Sequence, residues 1–224
     1  MRYILLNDIK VLYKKKKIFI IYIICLIFYI FFQMIMKNKL DIELVYKTFG
    51  LNCCNYYNIV EVLLYIYNIV IYLYITLYIF DIDIQNNIAN IFLRMNLKKW
   101  LVIKIISIIN ITVILKTISY ILVMIIYIVN NGFTFALFNI LIINILWIII
   151  IELLFLYWYI FLKKTKFILL ILIPLILINY KYLMFSFINN VNYIFILLLI
   201  TLIFYGVLLH NSKKYDIFEN INWR

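Results

Sequence analysis

From Phe135 to Phe161 the chain carries one charge, Glu152, and neither proline nor glycine. A stretch this long and this apolar has no place on a water-facing surface. It is also longer than the core of a small soluble domain needs. Four further runs repeat the pattern: Ile18 to Met36, Asn58 to Phe80, Trp100 to Val129 and Val191 to Leu209. Each has about 19 residues or more, and at about 1.5 Å per helical residue that covers the roughly 30 Å hydrocarbon core. A shorter run over 167–179 is kinked by Pro174, which removes a helix hydrogen bond. Six spans result, about 18–36, 58–80, 100–129, 135–161, 167–179 and 191–209, in an all-α polytopic membrane protein of one transmembrane domain. Overall, 69% of the residues are hydrophobic, well above the roughly 45–50% of soluble domains.

The formal charge of +12 does not point to nucleic acid, because the cations cluster at the ends of apolar runs. There they set topology and meet anionic lipid. With six spans, 15 of the 21 Lys and Arg residues fall in the N-terminal flank, the segment between spans two and three, the Lys163–Lys166 turn and the C-terminal tail. Lys37, Lys39, Lys47 and Lys181 fall on the other side. The positive-inside rule puts both termini in the cytoplasm. Richness in Ile, Asn, Lys and Tyr fits an AT-rich coding sequence and a bacterial cell membrane.

Two segments suit the membrane surface. Residues 1–17 carry Leu5, Leu6, Ile9, Leu12 and Tyr13 on one helical side and end in Lys14 to Lys17, as an interfacial helix does. Residues 81–99 are more telling. Ile84, Ile88, Ile91 and Met95 form one stripe, with Asn86, Asn87, Asn90 and Arg94 opposite. Asp81 and Asp83 stand where acids favour a helix N-terminus, and Lys98, Lys99 and Trp100 lead into span three. The expectation is an amphipathic helix on the inner surface, offering its polar face to water or to a partner.

Chemistry is sparse. No phosphate-cradling glycine loop exists, and the single histidine, His210, leaves no His metal set or histidine-dependent intramembrane protease. The chain is therefore expected to be no enzyme and to bind no metal or cofactor directly. Cys25 sits in a span, and the adjacent Cys53 and Cys54 in an outer loop do not suit a mutual disulfide. Four ionisable residues stand inside spans, where charge is expensive and marks function or pairing: Glu61, Lys104, Lys116 and Glu152. Lys104 is near enough to the inner surface to snorkel, and Glu61 to the outer headgroups. Lys116 and Glu152 lie about 21 and 27 Å below the turn joining spans three and four, an offset that two long side chains bridge, so a salt bridge between them is expected.

Together these features resemble the permease subunit of an ABC transporter of the type-2 exporter class. The architecture covers nearly the whole chain; the sequence likeness lies in Ile84 to Ile108, with Asp83, Arg94, Lys98, Lys99, Trp100 and Lys104 at the matching positions. The small permeases of low-GC Gram-positive bacteria, which serve peptide export or self-protection against antimicrobial peptides, are most similar. The resemblance implies that 81–99 is a coupling helix. Asp83, Asn86, Asn87, Asn90, Arg94, Lys98 and Lys99 would then contact a separate cytoplasmic ATPase, which holds ATP-Mg. It also implies a second permease chain, identical or sibling, with a hydrophobic or amphipathic substrate passing between the two beside spans two and five. Tyr65, Tyr67, Tyr72 and Tyr74 would line span two. The competing reading is an ATP-independent membrane immunity or scaffold protein.

Overall fold

The computed structural model describes residues 16–37, 66–80, 97–132, 136–157 and 191–211. All five described elements are helices: α1 (Lys16–Lys37), α2 (Ile66–Phe80), α3 (Leu97–Asn131), α4 (Ala136–Tyr157) and α5 (Val191–Asn211). They hold their own backbone hydrogen bonds, the condition that lipid imposes on any spanning segment.

Three stretches are long and apolar enough to cross a membrane: Lys98–Val129, Phe138–Tyr157 and Ile194–Asn211. Phe19–Phe32 and Ile66–Phe80 are apolar but shorter. At about 1.5 Å per residue, the latter reaches only about 22 Å of the roughly 30 Å core. The described residues thus bear out a helical chain with three membrane-length helices, and the expected six spans are not supported by them. The start of the second span and all of 167–179 lie outside the described residues, as do residues 1–15 of the interfacial helix and 81–96 of the amphipathic one.

α3 and α4 form an antiparallel hairpin. α3 continues to Asn131 and is closed by Gly132, whose φ of 80° lies in the left-handed region. The Gly132 N–H donates to the Ile128 carbonyl at 2.9 Å, satisfying one of the last carbonyls of the helix. α2 runs antiparallel to α3: near its end, Phe80 meets Trp100 edge-on with ring centroids 5.0 Å apart, favourable aromatic geometry. α5 packs along α4, and Asn211 Nδ2 donates to the Tyr157 hydroxyl at 3.3 Å. The carboxyl ends of α4 and α5 therefore lie together and the two helices run parallel.

α4 is the central helix. It is apolar all round its circumference, as a helix enclosed by others must be, and Ile140, Ile143 and Leu156 are fully buried. Its neighbours bury only one side each. α5 turns Phe195, Leu199 and Leu202 outward, and α1 does the same with Phe28, Phe31 and Ile35, apolar surface that suits lipid contact. Packing, not exclusion from water, holds apolar helices together in lipid. Leu156→Ala should lower the unfolding free energy by about 2–4 kcal/mol through the cavity it leaves. Leu199→Ala should change it by less than about 0.5 kcal/mol. Unfolding of both variants in mixed micelles checks the contrast.

Candidate functional site

Within this apolar bundle lies one layer of buried polar groups. On α2, Asn68, Tyr72 and Thr76 are spaced four residues apart and so share a stripe. On α3, Thr112 and Lys116 form a matching pair one turn apart. α4 contributes Glu152 and α1 contributes Tyr22. All of these side chains are buried. Thr112 lies 15 residues from Leu97 and Lys116 lies 15 from Asn131, so each is about 22 Å from its end of α3. The layer sits at mid-helix.

The Lys116 ammonium donates to Asn68 Oδ1 at 2.8 Å, and the Tyr22 hydroxyl donates to the same oxygen at 2.9 Å. Two donors on one atom use both lone pairs of an amide carbonyl and fix which end of the amide faces them. The ammonium also lies 4.8 Å from the centroid of the Tyr72 ring, a favourable cation–π position. The Tyr72 hydroxyl sits beside Ser119 but makes no hydrogen bond of good geometry among the described residues. Ser119 instead donates to the Lys116 carbonyl at 2.9 Å.

Glu152 is held separately. Thr76 donates to its Oε1 at 3.0 Å, and the Thr112 hydroxyl is 2.8 Å from both Oε1 and Oε2. Among the described residues Glu152 thus accepts from neutral hydroxyls, and Lys116 donates to an amide oxygen and lies over an aromatic face. The two charges share a layer and feel each other's field. The salt bridge expected from the sequence is not the contact that either makes among the described residues. Register favours the threonine. Thr112 precedes Asn130 by 18 residues and Glu152 follows Thr134 by 18, so these two stand at equal depth. Lys116 is one turn, about 6 Å, nearer the hairpin tip.

The other expected residues are dispersed. Lys104 is completely buried, as are Trp100, Leu101, Ile103 and Ile105 in the same first turns of α3. Lys98 and Lys99 are exposed in the first turn of α3. Cations there oppose the helix dipole but suit the headgroup region. Asp83, Asn86, Asn87, Asn90, Arg94, Glu61, Cys53, Cys54 and Tyr65 lie outside the described residues. Of the span-two tyrosines, Tyr72 faces inward against Ile148, Ile151 and Phe155 of α4. Tyr74 is exposed and stacks on Tyr78, their centroids 6.2 Å apart. Tyr22, Asn68, Thr76 and Thr112 were not singled out by sequence reasoning; neutral polar residues at four-residue spacing inside apolar runs were the available signal. Among the described residues no cluster of His, Cys, Asp or Glu could hold a metal ion.

Compared with known protein families, curated proteins and solved structures, the chain matches none. What the fold and the site define is a helical membrane protein with apolar spanning helices and a charged, hydrogen-bonded centre.

Leaving a buried carboxylate short of a donor costs about 1–3 kcal/mol. Thr112→Val should therefore destabilise the bundle by that amount, whereas Thr112→Ser, which keeps the hydroxyl, should stay within about 0.5 kcal/mol of the unsubstituted protein. Equilibrium unfolding in detergent distinguishes the two.

Proposed function

We propose that this chain is the membrane-spanning subunit of an ATP-driven exporter, coupling a separate cytoplasmic ATPase to movement of a hydrophobic or amphipathic substrate, with a peptide the best fit. The observation that supports the reading most is the buried layer of Lys116, Glu152, Asn68 and two threonines. Charges at hydrocarbon depth are expensive, and membrane proteins keep them where helices must rearrange or cargo must pass. A passive anchor has no need of them.

The parallel run of α4 and α5 is consistent with this reading, since an odd number of crossings between them is what a six-span permease has. The aromatic and aliphatic lining of α2 suits an apolar cargo better than a sugar or an ion. On this reading, residues 81–99 form the coupling helix, with Asn86, Asn87, Asn90 and Arg94 toward the ATPase. Closure of two ATPase subunits on ATP-Mg drives two permease chains between inward- and outward-facing states. Both termini are cytoplasmic, and the membrane is that of a bacterium.

Isolation of the tagged chain from native membranes should bring down an ATPase. Asn90→Asp combined with Arg94→Glu should abolish that association and the accompanying ATP hydrolysis. An oligomer free of ATPase would instead favour an immunity or scaffold protein that works without ATP.

A further inference from the structure

The polar bonds of the central layer sort by helix pair. The Tyr22–Asn68 bond is internal to α1 and α2, and the Thr112–Glu152 bond is internal to α3 and α4. Lys116–Asn68 and Thr76–Glu152 run between the pairs. Lys116 is on α3, and its second possible acceptor, Glu152, is on α4. The ammonium already rests on the face of Tyr72, and Tyr72 stands between Asn68 and Thr76 on the α2 stripe. A lysine side chain is long, flexible and able to donate three hydrogen bonds. The α4 carboxylate, level with Thr112, stands one turn of α3, about 6 Å, deeper than the lysine, an offset that a lysine side chain can span.

We infer that Lys116 is a swinging arm with two stations, Asn68 and Glu152, and that its transfer across the Tyr72 ring releases α1–α2 from α3–α4. With the ammonium on Asn68, the pairs are cross-linked. With the ammonium on Glu152, an ion pair forms within the α3–α4 hairpin and displaces Thr76. Asn68 keeps its bond to Tyr22. The freed Thr76 hydroxyl has a local acceptor in the carbonyl one turn before it, as threonines in helices commonly do. The seam between the pairs then opens without leaving either charge isolated, the outcome that would otherwise forbid opening in a low-dielectric interior. The residues that line this seam, Ile69, Tyr72 and Leu73 against Ile148, Ile151 and Phe155, are chiefly apolar. The inference holds whether or not an ATPase drives the motion.

The test uses the full chain in lipid nanodiscs, with Cys25, Cys53 and Cys54 replaced by Ala and a reporter at Ile148→Cys, buried in the seam. The probe is a cationic, membrane-impermeant thiosulfonate. Labelling should be slow with the arm on Asn68. Asn68→Leu removes that station and should speed labelling at least tenfold. Adding Glu152→Gln to Asn68→Leu removes the anionic station and should return it to the slow rate. A reporter at Leu208→Cys, buried on α5 outside the seam, should stay unreactive throughout. Slow labelling in Asn68→Leu, or labelling in the double variant as fast as in Asn68→Leu, would overturn the inference. If Leu208→Cys reacts, the chain has unfolded. Asn68→Ser, too short to reach Lys116, then takes the place of Asn68→Leu, and the same two outcomes decide.

Discussion

Two charges at hydrocarbon depth govern this bundle. An ammonium and a carboxylate cannot be left bare among isoleucines, because each loses several kcal/mol of hydration. Once Lys116 and Glu152 are placed inside the bundle, α1, α2 and α3 must bring polar groups to them. Asn68 and Tyr22 answer one charge, and Thr76 and Thr112 answer the other. Apolar packing in lipid is nearly indifferent to rotation and register, since a Leu is as comfortable against an acyl chain as against a helix. The polar layer supplies the directionality that packing lacks. It sets which face of α2 looks inward and at what height α2 meets α3.

Much of the fold was readable in the residues. Apolar run lengths located the helices, and the polar–glycine turn at Asn130 to Thr134 identified the α3–α4 hairpin, which Gly132 closes with a left-handed residue. Depth arithmetic from that turn was sound too. It placed Lys116 and Glu152 one helical turn apart, and the structure agrees. By the same count Thr112 stands level with Glu152, a match that formal charges alone do not reveal. Asn68 and Tyr22 were harder to find. They reach the layer through long connections rather than a short turn, so counting residues could not register them against α3. Lys104 reads as a snorkelling lysine near a helix end, and in the structure it is fully buried.

The same layer separates structural from functional readings of intramembrane charge. A direct, fully coordinated Lys–Glu ion pair would act as a rivet. Here the hydrogen bonds seen among the described residues join each charge to neutral partners, which hold less tightly than an ion pair. The central helix carries the carboxylate, the longest described helix carries the ammonium, and the ammonium rests on an aromatic face. This arrangement has an alternative of comparable quality within reach, the property that lets a membrane protein change shape without exposing charge to lipid.

Gly132 has a consequence of another kind. Thr112 and Glu152 meet because the two arms of the hairpin have equal length measured from its tip. The hairpin therefore acts as a ruler. One inserted residue between Thr112 and Gly132 would turn the threonine about 100° around the helix and shift it about 1.5 Å, taking its hydroxyl away from the carboxylate. Replacement of most side chains along these arms changes packing by degrees, whereas a change in their length breaks the layer at once. The forty-one positions from Thr112 to Glu152 form a stretch in which substitution is negotiable and insertion or deletion is not.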